Sequence, residues 1–540
     1  MRPCAVEDPV HVQNLSAREP GGLRVSHRDG AVGRDQERQG GNLAMNDSEK
    51  SDGLVVPTKS PNEAGSPAEE GMEGRSPAKG NMEGQNVPRT QRRLSTTNAL
   101  DRVREAARKD KKQRFTALLH HVTIDRLRQA YLALARKAAA GVDGMTWDEY
   151  GQGVEVRLAD LHARVQRGTY RAKPSRRVYI PKPDGRQRPL GIAAVEDKVL
   201  QRAVVEVLNA IYESDFLGFS YGFRPGRNQH QALDALATAI ARKSVNWVLD
   251  ADIRGFFDTI DHGWLVKFIE HRIADKRIVR LIQKWLAAGV LEDGKWSSTE
   301  VGTPQGATIS PLLANVYLHY VFDLWANQWR RREAHGEMVV VRYADDFVLG
   351  FQHEADATRF LADLRERLER FGLEVNPDKT RLLRFGRHAA ASRRERGEGK
   401  PETFDFLGFT HICGKTRAGN FLLLRHTSNK RMRTKLKALR GVLLRRRHRP
   451  VPEQGRWLES VVRGYFAYHA VPTNIDQLTS FRTQVVRLWS RALRRRSQRH
   501  RLDWVRMSRL ATRWLPPARV LHPYPWNRFD DRTRGRSRVR

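Results

Sequence analysis

"VVVRYADDFVLGF", residues 339–351, sets two aspartates side by side between two runs of β-branched and aromatic residues. Adjacent carboxylates repel, and burying either is costly unless a cation holds it. Asp-Asp also suits an exposed turn, because Asp bonds its own backbone there. Asp530-Asp531, in the polar Arg-rich tail, is such a case. The pair Asp345-Asp346 acquires chemical meaning only if a third carboxylate is set up to meet it.

That third group is offered by "NWVLDADIRGFFDTIDH", residues 246–262. Trp247, Val248 and Leu249 start a strand that reaches Asp252, and "GFFD" then turns into a helix. Asp252 would stand where a buried strand opens on a cleft, whereas Asp258 and Asp261 better suit helix capping. One strand ending at Asp252 and a neighbouring hairpin turning at Asp345-Asp346 would bring the three carboxylates together. Such a cluster binds hard divalent cations such as Mg²⁺ through oxygen. Two ions about 3.5–4 Å apart would activate a 3′-hydroxyl and stabilise a leaving pyrophosphate.

Composition narrows the partner. The 540-residue chain carries a formal net charge of +36. Residues 1–98 hold 13 Lys+Arg and 14 Asp+Glu, so the remainder, with 84 basic and 47 acidic residues, carries all the excess. A folded region that basic repels itself unless a polyanion neutralises it, which makes nucleic acid the expected partner. Binding should be steeply salt-dependent. No run of about 18 apolar residues and no signal-peptide core is present, so a cytoplasmic protein with no membrane partner is expected. Two cysteines, Cys4 and Cys413, exclude a disulfide framework and a Cys-rich zinc module.

The chain divides by character. Residues 1–98 are rich in Gly, Ser, Pro and Glu without hydrophobic periodicity, and "GSPAEEGMEG" is echoed by "GRSPAKGNMEG"; this stretch reads as a disordered extension. From Asp101 the sequence reads as basic helices, with Phe115, Leu118, Leu119 and Val122 at helical spacing. Between Tyr170 and Phe409 short strands alternate with helices, an α+β or α/β pattern. Within it, Ala355–Phe371 is amphipathic, with Phe360, Leu364, Leu368 and Phe371 on one face and Gly372 suited to the C-cap. No acidic residue occurs from Phe406 to Pro452, and interleaved Leu436, Leu439, Val442 and Leu443 argue for a folded basic helix there.

"YADD" together with "ADIRGFFD" resembles the polymerase centre of reverse transcriptases, and the wider set resembles the group II intron-encoded kind. The blocks run in order: "GVDGMTW", "YIPKPDGRQRPLGI", "SYGFRPGRNQHQAL", "DADIRGFFDTIDH", "GTPQGATISPLLANVYL", "YADDFVLGF", "GLEVNPDKT" and "FDFLGF". The blocks run from residue 141 to residue 409, and the resemblance covers roughly residues 100–530. The resemblance implies an RNA-directed DNA polymerase that also binds its intron RNA as a maturase, promoting splicing and mobility. It implies a right-hand fold: basic helices and fingers over 99–245, a palm with a ferredoxin-like (RRM-like) sheet over 246–410, a helical thumb with the maturase domain X over 411–530, and a basic tail, 531–540. Substrates would be deoxynucleotides, an RNA template with a DNA primer, and target DNA.

By the same resemblance Asp252, Asp345 and Asp346 are the catalytic and metal residues, holding two Mg²⁺ ions. Phe257 stands where such enzymes place a steric gate against a 2′-hydroxyl. Lys182 and Arg188 flank a Pro-Asp-Gly hairpin and would grip the incoming triphosphate, with Gln305 as a polar contact and Lys379 as a further cation. Ala307 replaces a glycine of many relatives and adds a methyl to a close backbone approach. Arg224 and Arg227 would meet the template backbone. Lys430, Arg431, Arg433, Lys435, Lys437, Arg494, Arg495 and Arg496 are the expected RNA-facing charges. Nothing after "HPYPWNRF" resembles the Cys/His endonuclease found in many relatives, and that domain is expected to be absent. Two alternatives share these features: a splicing maturase with only an RNA-binding role, and a reverse transcriptase of an antiphage-defence lineage.

Overall fold

The computed structural model describes residues 99–181, 187–298, 301–496 and 502–528. The stretch 1–98, the tail 531–540 and Lys182 lie outside them. Among the described residues no helix is long and apolar enough to cross a membrane.

The opening stretch forms an edge strand and the inner strand beside it in a four-stranded antiparallel sheet ordered Met338–Tyr343, Asp346–Phe351, Trp247–Ala251, Arg381–Arg384. Its strands read as continuous apolar runs because both faces are covered. Val339, Val341, Val348 and Leu383 join the core formed with the helix Gln229–Arg242 and with Phe404, Phe406 and Phe409. Val340, Phe347, Leu349 and Phe351 join the opposite core with Phe360 and Leu364 of the helix Glu354–Glu369. That helix follows its sequence pattern and ends at Gly372 (φ +69°), where the Leu373 amide returns to the Leu368 carbonyl at 3.0 Å.

Two further sheets, of four and three strands, accompany this one. The first pairs Ser175–Pro181 with Gln187–Ile192 as the expected hairpin and continues through Val290–Glu292 and Lys295–Ser297. The second joins Phe404–Phe406, Phe409–Lys415 and Phe421–Thr427. Four helices, Asn429–Arg445, Val451–His469, Ile475–Arg494 and Trp504–Trp514, then close around a separate core that includes Leu443, Phe481 and Trp489.

One expected helix is absent. Phe115, Leu118, Leu119 and Val122 are all buried, but the α-helix 99–109 stops before them, a single 3₁₀ turn covers Leu119–His121, and the next α-helix begins at Ile124. Between the two helices Phe115 bridges Ile273, and the Asp275 carboxylate accepts from the amides of Leu118 and Leu119 at 2.8 and 3.0 Å. A buried acid from elsewhere in the chain satisfies the backbone that a helix would have satisfied locally.

The sheet is tied to its neighbours by Arg342, whose side chain is wholly buried. Its Nε and Nη2 donate to the two oxygens of Asp323 at 2.7 and 2.6 Å, and Nη2 also donates to Ser220 Oγ at 2.7 Å. Nη1 donates to Asn315 Oδ1 at 3.0 Å and to the Ala344 carbonyl at 2.8 Å. Asn315 and Asp323 lie eight residues apart, which in a straight α-helix sets them about 80° apart around the axis. The π-helical turn His319–Asp323 takes up one extra residue and swings both onto the face that meets Arg342. Arg342→Met should lower unfolding stability by about 3–5 kcal/mol in urea titrations, because Asp323 stays buried without a cation. Adding Asp323→Leu should recover a substantial part of that loss.

Candidate active site

The hairpin turn falls one residue earlier than the sequence suggests. Tyr343 pairs with Asp346, so the two turn residues are Ala344 and Asp345, and Asp346 opens the returning strand. Ala344 adopts φ +56°, a strained choice for a residue with a Cβ. Its carbonyl is held by Arg342, and a Cβ placed on Gly222 would come within 2.3 Å of its amide nitrogen. The "SYGFR" loop is therefore packed directly against the turn.

Registers place Asp252. Trp247–Ala251 pairs with Phe351–Phe347 on one side and, through Asp250, with Arg384–Arg381 on the other. Continuing the first register to Asp252 sets it beside Asp346; on the other side the second pairing stops at Asp250, the Asn376 amide reaches the Asp252 carbonyl at 2.8 Å, and Lys379 meets Asp252 through its side chain. The three expected carboxylates thus meet at one sheet end. Asp346 is open to solvent and Asp345 is half-buried, yet both are crowded by protein, the situation of groups on the floor of a cleft.

The electrostatics follow. Poor solvation, then Asp345 and Asp252, push the Asp346 carboxyl up to about 7, with Arg431 opposing. Burial likewise raises Asp345; Asp252 adds to the rise, while Arg188 and Lys379 pull against it. A fourth acid, Asp250, is pushed up to about 6 by burial, against the pull of Arg381. Asp250 escaped the sequence reading, although its spacing in "DAD" puts it on the same strand face as Asp252.

These are oxygen-only, hard, mutually repelling donors, the set that suits Mg²⁺. As placed, however, no three acidic, His or Cys side chains among the described residues close into a single metal-ligating group. Asp252 Oδ2 instead accepts from Lys379 Nζ at 2.7 Å and Asn376 Nδ2 at 3.1 Å. The donor chemistry and adjacency fit a divalent ion; the closing of Asp252 onto it is not seen.

Phe256 is buried and Phe257 half-buried beside it, with the Thr303 amide on the Phe257 carbonyl at 2.7 Å. Gln305 is half-buried, its carbonyl accepting from the Gly191 amide at 2.6 Å, which ties its loop to the strand bearing exposed Arg188. The Ala307 methyl is buried, in a recess shared with Gln201 and Ser310. Lys182, expected opposite Arg188, is outside the described residues.

Arg224 corrects the expectation of a template contact. It is buried, donates to Glu213 and to the carbonyls of Leu217 and Ser220, and braces the loop from within. Half-buried Arg227 lies over the Tyr221 ring. Lys430, Arg433 and Lys437 are exposed on the helix Asn429–Arg445, with Lys435 half-buried. Exposed Arg431 lies over Gly408 and acts on Asp346, joining the basic helix to the cleft. Arg494 and Arg495 are exposed; Arg496 is half-buried, donating to the Arg449 carbonyl at 2.7 Å.

Residues 180–411, which contain this whole carboxylate cluster, match the family described as reverse transcriptase (RNA-dependent DNA polymerase). Protein YkfC of Escherichia coli is 35% identical over 289 residues, covering 47% of this chain and 75% of that protein. The chain belongs to the reverse transcriptase family. The group II intron-encoded protein LtrA of Lactococcus lactis is 37% identical over 226 residues, 42% of this chain and 37% of LtrA. A 91 kDa protein in the cob intron of Schizosaccharomyces pombe is 30% identical over 378 residues, 57% of this chain and 45% of that protein. This reverse transcriptase therefore spans less than half the length of these two relatives. The family implies a right-hand polymerase fold, and the mixed helix-and-sheet architecture agrees with it.

The raised Asp346 carboxyl gives a pH test. Its folded affinity for a proton exceeds that of an unfolded Asp, so its contribution is full below about pH 4 and is lost as pH rises towards 7. In chelator, the melting temperature of the wild type should fall over that window more than that of Asp346→Asn. Millimolar Mg²⁺ should flatten the difference.

Proposed function

We propose that the chain is an RNA-directed DNA polymerase using two Mg²⁺ ions held by Asp252, Asp345 and Asp346, and that it also binds its intron RNA to assist splicing and mobility. The observation that carries this is the register that sets Asp252 next to Asp346, with Asp345 on the adjoining turn, inside the family-matching segment. Divalent ions held there would supply Lewis-acid activation of a primer 3′-hydroxyl and charge neutralisation for the leaving pyrophosphate.

The chain's own groups have separable tasks. The three carboxylates fix where the cations stand, and the Arg342-braced turn keeps Asp345 from relaxing away from its like-charged neighbours. Arg188, acting on Asp345 from a strand of the other four-stranded sheet, would orient the triphosphate, together with Lys182. Phe257, beside fully packed Phe256, is a rigid wall suited to refusing a 2′-hydroxyl. Gln305 would contact the nucleotide or primer end. We assign fingers to 99–245, palm to 246–410, and thumb with domain X to 411–530. The last carries the exposed cations of Asn429–Arg445 and the Arg494–Arg496 cluster for structured RNA. A splicing-only maturase has no need of a complete acidic trio, and all three acids are present.

Primer extension on an RNA template with Mg²⁺ tests the polymerase. Asp252→Asn or Asp345→Asn should cut the rate by on the order of 10³-fold, the equivalent of several kcal/mol of transition-state stabilisation. Equal product from wild type and Asp252→Asn would end the proposal. RNA binding is tested by gel shift against salt. Replacing Lys430, Arg433 and Lys437 with Gln should lower the log–log slope by about two, if each neutralises one phosphate.

A further inference from the structure

The contact that keeps Asp252 from its fellow carboxylates is itself informative. Lys379 Nζ lies 2.7 Å from Asp252 Oδ2, and Asn376 Nδ2 reaches the same oxygen at 3.1 Å. The segment carrying both is pinned to the sheet, with the Asn376 amide on the Asp252 carbonyl at 2.8 Å and the Thr380 amide on the Asn376 carbonyl at 3.0 Å. The backbone near Lys379 is therefore fixed, while its side chain is 54% exposed. An exposed ammonium on a four-carbon stem can leave its partner at little cost, because solvent-exposed ion pairs are weak. The same ammonium also acts on Asp345. One exposed ammonium thus serves an acid at a strand end and an acid on the hairpin turn.

We propose that Lys379 is the resident counter-ion of the carboxylate cluster, and that a divalent cation arriving at Asp252 displaces the ammonium into the cleft. The inference rests on reading Asp252, Asp345 and Asp346 as cation ligands. Without a divalent ion the protein faces three clustered carboxylates, and Lys379 relieves part of that repulsion. A doubly charged ion accepting lone pairs from several oxygens at once outbids a single ammonium held by one oxygen. Asn376 stays behind as a fixed donor on Asp252 and limits how far the carboxylate can turn. Metal binding and lysine release are then two sides of one exchange, and Lys379 lowers the affinity for the ion it gives way to.

The test uses the full chain and two readouts that need no catalysis. Brief reductive methylation of the wild type, read by mass spectrometry, should modify Lys379 several-fold more in Mg²⁺ than in chelator, with no such rise in Asp345→Asn. Mn²⁺ titration followed by electron paramagnetic resonance should show several-fold tighter binding by Lys379→Met. Equal Lys379 modification with and without Mg²⁺, in a wild type whose Mn²⁺ binding depends on Asp345, overturns the exchange and leaves the site reading standing. Mn²⁺ binding that is the same in wild type and Asp345→Asn overturns the site reading, and the exchange with it.

Discussion

Everything at the cleft floor depends on a cation that never reaches it. Arg342 uses all its donors inside the protein, on Asp323, Asn315, Ser220 and the Ala344 carbonyl. A buried ion pair of this kind roughly breaks even against apolar packing, so its role is geometric. It joins a strand, a π-turned helix, the "SYGFR" loop and the hairpin turn at one point. Lysine could not replace it, because one ammonium cannot address four directions in a plane. The planar fork holds Ala344 in a conformation the chain would not choose, and Asp345 is carried with it.

The charge plan has two scales. Over the long range, the basic excess beyond residue 98 draws a polyanion toward the protein. At the cleft floor the sign reverses, and Asp250, Asp252, Asp345 and Asp346 would repel the phosphates that the rest attracts. Under the proposed function, a nucleic acid would dock without divalent ions, but its reactive end would not settle among those acids until they were neutralised. Affinity and reactivity would then answer to different ions, monovalent salt for the first and divalent cations for the second.

Much of this could be read from residue order. The apolar runs around "RYADD" marked strands, the three acids were found where two strands end, and the amphipathic helix Glu354–Glu369 stopped at Gly372 as its pattern required. What could not be read were positions whose environment is set from far away. Arg342 looks like a polar interruption of a strand until Asp323 and Ser220 are known to face it. Arg224 has the charge and loop setting of a phosphate contact, yet its partner Glu213 lies on the preceding helix and draws it inside. The helical spacing around Phe115–Val122 describes burial correctly and conformation wrongly, because Asp275 supplies the amide partners from more than 150 residues away.

The basic helix Asn429–Arg445 has one further consequence for the cleft. It begins where the third sheet ends: the Ser428 amide bonds the Gly408 carbonyl at 3.0 Å and Ser428 Oγ donates to Asp405 at 3.1 Å. Thr427 is fixed in turn by Asn474, whose Oδ1 accepts from the Thr427 amide at 2.9 Å and whose Nδ2 donates to Thr427 Oγ1 at 2.8 Å. Gly408 itself must lack a side chain, because its φ is +85° and Arg431 lies against it. Arg431, in the first turn of this helix, is the cation that opposes the rise of Asp346. An RNA lying along the exposed Lys430, Arg433 and Lys437, as proposed, would therefore be held at a fixed vector from the carboxylates, by hydrogen bonds rather than by a flexible linker. A change of a single residue in the 427–431 corner would alter RNA grip and cleft electrostatics together, so the two cannot be tuned independently there.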